Sequence, residues 1–237
     1  MITVSIVTHG HGRMVLTLVD RLLEFTEVSR IILTVNVPEV FYSISNMPER
    51  LVIIDNQIPK GFGANHNNAF NQCDTPFFCV LNPDVELPKN PFYTLIKLME
   101  ALNADLVAPA VKTRLGYIED SARHFPTLIS IIVRVMGGYD GRYPIKFGDP
   151  PFRPDWIAGM FMLFRSEIYQ KLCGFDERFY LYYEDVDICR RAKHHGHLVL
   201  CCPQVFIVHS AQRASRFKLQ HFYWHIKSMF LFLFFSN

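Results

Sequence analysis

The sequence predicts an α/β fold in which a mainly parallel central sheet is flanked by helices. Short apolar runs, typical of buried strands, alternate with segments in which apolar side chains recur every three or four positions, as on one helix face. Several of the apolar runs end at asparagine, aspartate or proline, which mark the ends of strands. Strands and helices that alternate in this way form parallel sheets covered by helices.

The first half of the chain supplies most of the predicted sheet. We predict strands at Thr3–Thr8, Arg30–Val35, Leu51–Ile54, Phe77–Leu81 and Leu106–Ala108. The helices between them are predicted at Met14–Phe25, in a segment that follows a glycine-bearing loop beginning at Gly61 and continues to about Cys73, and at Pro91–Ala101. The last of these has a proline in its first turn, where the missing N–H has no helical partner to lose.

The second half is less regular. Residues 116–153 are rich in glycine and proline and contain one segment, Ile129–Met136, that we predict to be a short helix or a lid with an apolar face. Ser166 is expected to cap the helix that follows the next strand. The remaining predicted elements are a strand at Asp155–Arg165, a helix from Ser166 to Leu172, an acidic helix from Glu184 to just before Gly196, and apolar runs at Leu198–Cys201 and Val205–Val208.

Composition narrows the class of protein. The 237 residues fit one large domain or two small ones, and a net charge of +2 gives no signal of nucleic-acid binding. The six cysteines lack the paired spacing of zinc sites, so we expect reduced, mostly buried thiols in a cytoplasmic protein. No signal peptide is evident, and the apolar run Met229–Phe235 is far shorter than the ~20 residues of a membrane-spanning helix.

Polar residues follow three of the predicted strands. Thr8, Asp55 and the Asn82–Asp84 segment all stand at carboxyl ends of strands, where ligands collect in sheets of this kind. Asp84 is either a turn residue or a carboxylate for a divalent cation, since Mg²⁺ and Mn²⁺ prefer oxygen ligands. His209, at the end of its own strand, is either an ordinary histidine or a second metal ligand.

The acidic helix is the other candidate. Its first turn holds Glu184, Asp185 and Asp187, which either complement the helix dipole or include a general base. Tyrosines precede these acids and form a wall suited to a polar ring; they are Tyr180, Tyr182 and Tyr183. The Gly61–Gly63 loop is weak evidence for phosphate binding by itself, because it lacks the Walker lysine and the third glycine of a dinucleotide site.

In order along the chain, these motifs resemble those of family 2 glycosyltransferases with the GT-A fold, most of all the bacterial rhamnosyltransferases. The resemblance runs from Val4 to about Ser210. The segments that carry it are the strand ending at Thr8, Val52–Asn56, Gly61–Asn65, Leu81–Asp84, Asp155–Gly159, Gly174–Phe179, Glu184–Asp187 and the strand of His209.

The resemblance implies a role for each matching residue. Asp185 would be the catalytic base, Asp84 and His209 would hold one Mn²⁺ or Mg²⁺ ion, and Trp156 with Glu184 would shape the acceptor pocket. Asn82 stands where the family's Asp-x-Asp motif has its first acid. The nucleotide-sugar would be bound by Thr8, His9, Asp55, Asn56, Gly63, Asn65, Asn82 and Arg191.

The implied reaction is inverting transfer of a sugar in the synthesis of a bacterial surface polysaccharide such as O-antigen or capsule. The donor would be a dTDP- or UDP-sugar, with dTDP-rhamnose favoured, and the acceptor a glycan or a polyprenyl-diphosphate-linked glycan. Two alternatives stay open. One is a sugar nucleotidyltransferase, for which Gly10–Arg13 offers only the arginine of the required loop. The other is a non-catalytic nucleotide-sugar or glycan-binding module, which Asn82 favours and the pair Asp84 and Asp185 disfavours.

The chain changes character near its end. We expect a catalytic domain at residues 1–212 and a basic, aromatic helix at residues 213–237. Such a helix either packs on the domain or lies on an anionic lipid surface at the inner face of the cell membrane. The aromatic side chains expected to contact lipid are Phe230, Phe232 and Phe234, and the basic ones are Arg213, Arg216, Lys218 and Lys227.

Overall fold

The computed structural model describes residues 1–39, 48–209 and 219–235. Within these ranges the chain forms an α/β fold. The strands are β1 (Ile2–Thr8), β2 (Val28–Val35), β3 (Leu51–Asp55), β4 (Phe77–Leu81), β5 (Val85–Glu86), β6 (Leu106–Thr113), β7 (Ala122–Arg123), β8 (Trp156–Ile157), β9 (Phe161–Arg165) and β10 (Val199–His209). The helices are α1 (Arg13–Leu23), α2 (Phe62–Phe70), α3 (Phe92–Leu102), α4 (Leu128–Val135), α5 (Ser166–Lys171), α6 (Glu184–His194) and α7 (Leu219–Phe235).

Eight strands form one sheet in the order β3-β2-β1-β4-β9-β6-β10-β5. The pairs β1–β2, β2–β3, β1–β4 and β6–β10 are parallel, which confirms the predicted mainly parallel sheet. Strand β9 runs antiparallel between β4 and β6, and β5 runs antiparallel to β10. Because β9 is reversed, its first residue lies at the rim where its parallel neighbours end.

Side-chain alternation along the strands builds a core on each face of the sheet. Phe77, Cys79 and Leu81 of β4 pack on one face with α1 and α3. Phe78 and Val80 pack on the other face with α5 and α6. The two helical layers are therefore held by alternate residues of the same strand, as expected for a strand buried on both sides.

Three sequence predictions about the second half are wrong in detail. The predicted strand Asp155–Arg165 is two strands, since β8 leaves the main sheet and pairs with β7. The two apolar runs near residue 200 are one strand, β10, with an irregularity between Cys202 and Phe206 that accommodates a proline. Ser166 is the first residue of α5 and does not cap it; its hydroxyl lies 3.5 Å from the Cys73 thiol.

The C-terminal helix packs on the domain. Phe232 is buried against Phe179 and Val186, and the Ser228 hydroxyl donates a hydrogen bond of 2.9 Å to the Leu181 carbonyl. The expectation that Phe232 faces lipid is therefore wrong. The expected boundary at 212/213 and the basic residues Arg213, Arg216 and Lys218 lie outside the described residues. In the ranges that the structure covers, no helix is long and apolar enough to cross a membrane.

Candidate active site

The carboxyl ends of β1, β4 and β10 meet at one rim of the sheet, and β9 begins there. Thr8 ends β1, Asn82 follows β4, and His209 ends β10. The backbone N–H of Asn82 donates 3.0 Å to the carbonyl of Met160, the residue before β9. This topology places residues from four distant parts of the sequence along one edge.

Asp84 and His209 form a pair at this rim. Strand β5 pairs with β10 so that Val85 lies opposite His209, which sets the preceding residue, Asp84, beside the imidazole. The His209 Nε2 atom lies 3.2 Å from Asp84 Oδ2, and its Nδ1 atom lies 2.9 Å from Glu119 Oε2. Burial lowers the pKa of His209, but hydrogen bonds and charges from Asp84 and Glu119 outweigh burial and raise it to about 9.

The pair suits a divalent cation. Asp84 Oδ1 is buried and has no hydrogen-bond partner, so one carboxylate oxygen is left to be satisfied. The carboxylate that holds the far nitrogen of His209 is the usual support of a metal-bound histidine. Across residues 1–39, 48–209 and 219–235, no group of three or more His, Cys, Asp and Glu side chains is arranged to hold an ion, so an ion here needs further oxygens from a substrate.

Asp185 lies in the first turn of α6. Its Oδ2 atom accepts a hydrogen bond of 3.0 Å from the Gly159 N–H, and Oδ1 accepts one of 2.9 Å from its neighbour Val186. Burial raises the pKa of Asp185 and outweighs these hydrogen bonds, which lower it. A carboxylate whose pKa is raised takes a proton more readily than an ordinary aspartate.

A strained turn delivers this aspartate. Tyr182 and Tyr183 both have φ of 68°, in the left-handed region that residues with a side chain rarely adopt. The turn is held from the side of α7: the Tyr182 hydroxyl lies 3.0 Å from His221 Nδ1, and the Tyr183 ring packs on Phe232. Backbone strain of this kind costs about 1–3 kcal/mol and persists only where the surroundings fix it.

The base and the metal pair are linked through one short segment. Gly159 donates to Asp185, and the carbonyl of the next residue, Met160, accepts from Asn82, two residues before Asp84. A side chain at Gly159 would place its Cβ 3.3 Å from the Phe62 ring, so glycine lets α2 approach this segment closely. Asp185 and Asp84 therefore face a common region of the rim.

Of the two expected acceptor residues, Glu184 directly precedes Asp185 and Trp156 packs against the cluster that includes Val186. Trp156, in β8, is partly exposed and donates a hydrogen bond of 3.0 Å from its indole N–H to the His124 carbonyl. Glu184 is only 5% exposed, and its Oε2 atom has no hydrogen-bond partner. Burial together with the charge of Asp185 raises the pKa of Glu184 well above its usual range.

Two of the expected nucleotide-binding residues, Thr8 and His9, lie where β1 ends and the β1–α1 loop begins. Thr8 lies at the rim, where its hydroxyl donates 2.7 Å to Glu39, which also accepts from the N–H groups of Gly10 and Gly12. His9 lies in the same loop, with its Nδ1 atom 3.3 Å from the Asn36 amide nitrogen. The Glu39 carboxylate, which no family motif marks, thus closes the β1–α1 loop.

Asp55, by contrast, stands at the exposed end of the edge strand β3, two strands from β1. The residue that adjoins Thr8 is Asn36, after β2, whose N–H donates 3.0 Å to the Thr8 carbonyl. Asn56 and Asn65 lie behind Asn36: the Asn56 amide donates to both Asn36 Oδ1 (2.9 Å) and Asn65 Oδ1 (2.6 Å). Asn65 is 1% exposed, so this cluster shapes the loop from inside.

The contacts of Gly63 and Arg191 support the packing of the fold. A Cβ at Gly63 would lie 2.6 Å from the Phe175 Cβ, so only glycine allows α2 to pack on that segment. The Arg191 guanidinium binds the Asp187 carboxylate at 2.7 Å and the Leu172 and Gly174 carbonyls. Arg191 thus supports the turn before Phe175 and does not join the residues at the rim. Arg123, in β7, is a cation whose charge lowers the pKa of Asp185, although burial outweighs this effect.

Comparison with known proteins identifies the family. The sequence profile named glycosyl transferase family 2 matches residues 4–172, well over half of the chain. The chain belongs to this glycosyltransferase family. It is 29% identical to rhamnosyltransferase WbbL of Escherichia coli (strain K12), over 98% of this chain and 92% of that protein. It is 30% identical, over 65% of its length, to N-acetylglucosaminyl-diphospho-decaprenol L-rhamnosyltransferase of Mycobacterium tuberculosis (strain H37Rv), of which it spans 53%.

Solved structures of glycosyltransferases confirm the GT-A fold. GalNAc-T7 with UDP, GalNAc and Mn²⁺ superposes with a TM-score of 0.66 at 15% identity, over 89% of this glycosyltransferase and 44% of that chain. Staphylococcus aureus TarS 1-349 in complex with UDP gives a TM-score of 0.62 at 13% identity, over 94% and 62% of the two chains. At such identities the likeness establishes the fold alone.

Proposed function

We propose that this glycosyltransferase transfers a sugar, with inversion, from a nucleoside diphosphate to a hydroxyl of a glycan or polyprenyl-diphosphate-linked glycan in surface polysaccharide synthesis. The observation that carries the proposal is the chain of contacts from Asp185 through Gly159 and Met160 to Asn82 and Asp84. These contacts support a site in which Asp185 is the base and Asp84 with His209 is the cation-binding pair. Residues 1–212 would form the catalytic domain and residues 213–237 its extension.

In this mechanism Asp185 accepts the proton of the acceptor hydroxyl as its oxygen attacks the anomeric carbon opposite the leaving diphosphate. A positioned base contributes roughly 10²–10⁴ in rate. The Gly159 N–H donates a hydrogen bond to Oδ2, and the neighbouring Glu184 is buried, which raises the pKa of its carboxyl well above its usual range. Trp156 and the strained tyrosines Tyr182 and Tyr183 would border the space for the acceptor.

Asp84 and His209 would hold one Mn²⁺ or Mg²⁺ ion, with Glu119 orienting the imidazole. When bound, the ion neutralises negative charge on the diphosphate. Asn82 adds no charge to this pair, so an ion held there would need further oxygen ligands from the diphosphate. Thr8, His9 and Asn36 would contact the nucleoside at the neighbouring strand ends.

The names of the relatives favour particular substrates. Two of them are rhamnosyltransferases, and one of these acts, by its name, on a decaprenol-linked N-acetylglucosaminyl diphosphate. We propose dTDP-rhamnose as donor and a lipid-linked acceptor at the inner face of the membrane. Solved neighbours hold UDP, so a UDP-sugar is the second donor to test.

Calorimetric titration with dTDP, UDP and GDP, each with and without Mn²⁺, tests the donor site. We expect one diphosphate to bind and its affinity to fall without metal and in Asp84→Ala. Transfer is then assayed with the matching sugar nucleotide and a polyprenyl-diphosphate-linked N-acetylglucosamine, and the anomeric configuration of the product is read by NMR.

Asp185→Asn is expected to keep diphosphate binding and lose roughly 10²-fold or more in transfer rate. Asp20→Asn, at an exposed aspartate on α1, is the matched control and keeps the parent rate. Binding of a diphosphate with no turnover of any donor would instead indicate a non-catalytic binding module. Retention of the anomeric configuration would refute the role given to Asp185.

A further inference from the structure

Helix α4 is apolar and lies on the surface. None of its residues is buried, and its N-terminus is held by a capping box between Thr127 and Ser130. Ile129, Val135 and Met136 are 75%, 82% and 81% exposed. A helix with this composition would be expected to bury at least one face, so its surface calls for a partner.

Helix α7 is apolar on two faces, of which only one is covered by the domain. Its inner face includes Ser228 and Phe232, which are buried. Its outer face carries Phe222, Phe230 and Phe234, at spacings of eight and four residues, and these are 68%, 55% and 52% exposed. The outer face thus forms an apolar stripe along the helix, directed away from the fold.

The two helices border the same side of the candidate active site. The charge of Arg134, near the end of α4, acts on both Tyr183 and His225 of α7. Phe125, which precedes α4, packs into the same cluster as Phe232 and Tyr183. The turn that delivers Asp185 therefore lies between α4 and α7.

The two helices carry positive charge and no acidic residue. Arg134 and Lys227 are the charged residues of α4 and α7 themselves. A second copy placed on this surface by two-fold symmetry would oppose like charges, whereas an anionic bilayer would complement them.

We propose that α4 and α7 together form a docking face for an anionic lipid bilayer, with the opening to Asp185 between them. The docking face is defined by the exposed side chains of Ile129, Val135, Met136, Phe222, Phe230 and Phe234. The role of the docking face rests on the proposed function, because binding to a bilayer would bring Asp185 close to a lipid-linked acceptor. Binding of the protein to lipid can be measured without it.

The test is co-sedimentation with vesicles of phosphatidylglycerol and phosphatidylethanolamine, and with vesicles of phosphatidylcholine alone. The full chain is expected to partition onto the anionic vesicles and to be released by high salt. Two triple variants remove the docking face in halves: Ile129→Ser with Val135→Ser and Met136→Ser, and Phe222→Ser with Phe230→Ser and Phe234→Ser. Each is expected to lower the partition coefficient about tenfold or more.

The matched control is Ile58→Ser with Leu102→Ser, which removes exposed apolar side chains (76% and 49%) away from both helices. The control is expected to bind as the parent does, and far-UV circular dichroism checks that every variant is folded. Parent-like binding by the α4 variant, or an equal loss in the control, would overturn the proposal. So would a parent protein that ignores vesicles and instead forms a dimer that the variants abolish.

Transfer to a short, water-soluble acceptor separates this inference from the proposed function. If the variants lose vesicle binding and keep that activity, the result supports both the docking face and the proposed sugar transfer. If the parent binds vesicles but transfers no sugar to any acceptor, the docking face stands and the proposed reaction fails.

Discussion

His66 is expected to make the folded domain sensitive to mild acid. The residue lies on α2, is 1% exposed, and has its Nδ1 atom 2.8 Å from the Ser5 hydroxyl. Its Nε2 atom is buried without a hydrogen-bond partner. Burial lowers the pKa of His66 to about 3, so the imidazole is neutral in the folded protein at any working pH.

The size of the effect follows from that value. In the unfolded chain the same group has a pKa of 6.5, so between pH 6.5 and pH 3 the unfolded state binds a proton that the folded state does not. The folded protein therefore has its full stability above pH 6.5 and loses some as the pH falls. From pH 6.5 to pH 5 the loss is about 1.5 × 1.36, or about 2 kcal/mol.

Urea unfolding of the parent and of His66→Asn at pH 7.5, 6 and 5 measures this term. The asparagine oxygen can still accept from Ser5, and it does not titrate. We expect the free energy of unfolding of the variant to fall by about 2 kcal/mol less than that of the parent between pH 7.5 and pH 5. His194→Asn, at an exposed histidine, is the control. Equal pH slopes for parent and His66→Asn would refute the reasoning.

Three further outcomes are expected. Glu119→Gln should weaken Mn²⁺-dependent diphosphate binding by about 10- to 100-fold in calorimetry, because it removes the carboxylate that orients His209; unchanged affinity would contradict this. Gly63→Ala should lower the free energy of unfolding by about 1–3 kcal/mol, since its Cβ would meet the Phe175 Cβ; a neutral effect in urea would show that the contact relaxes. Arg191→Met should destabilise the fold by about 3–5 kcal/mol while folded protein keeps its diphosphate affinity; a selective loss of affinity would return Arg191 to the donor site.

The strands of the first half were predictable because their signal is local. Thr3–Thr8 mixes apolar residues with small hydroxyl residues and Phe77–Leu81 is a continuous apolar run, and both form strands in the middle of the sheet. The rim followed from the same reasoning, because parallel strands bring their carboxyl ends together. Asp84, Asp185 and His209 were predicted because the family motifs mark them.

Strand order was not predictable in the same way. The positions of Asp55 and Asn36 relative to Thr8 depend on that order. Asp55 and Asn36 both follow apolar strands, and only the order β3-β2-β1 shows that Asn36 adjoins Thr8 and that Asp55 stands at the edge. The reversal of β9 was hidden for a similar reason. A short apolar strand has nearly the same pattern in either direction, and the direction decides where Gly159 lies.

Contacts between side chains far apart in the sequence were also not predictable from the sequence. Glu119 lies in a loop-rich region with no motif around it, and it meets His209 only because β6 pairs with β10. Arg191 has the charge suited to a diphosphate, yet its position four residues after Asp187 on α6 favours an ion pair along the helix. That spacing was the available signal for a structural role.

The strained turn connects the C-terminal helix to the proposed catalytic base. Two consecutive left-handed tyrosines direct Asp185 toward the rim, and α7 holds both sides of that turn through His221, Ser228 and Phe232. The strain is therefore maintained by contacts with a helix whose outer face is the proposed lipid surface. Because the same helix contacts both, docking on a bilayer and the position of the base would be coupled without any change in the sheet that holds the donor site.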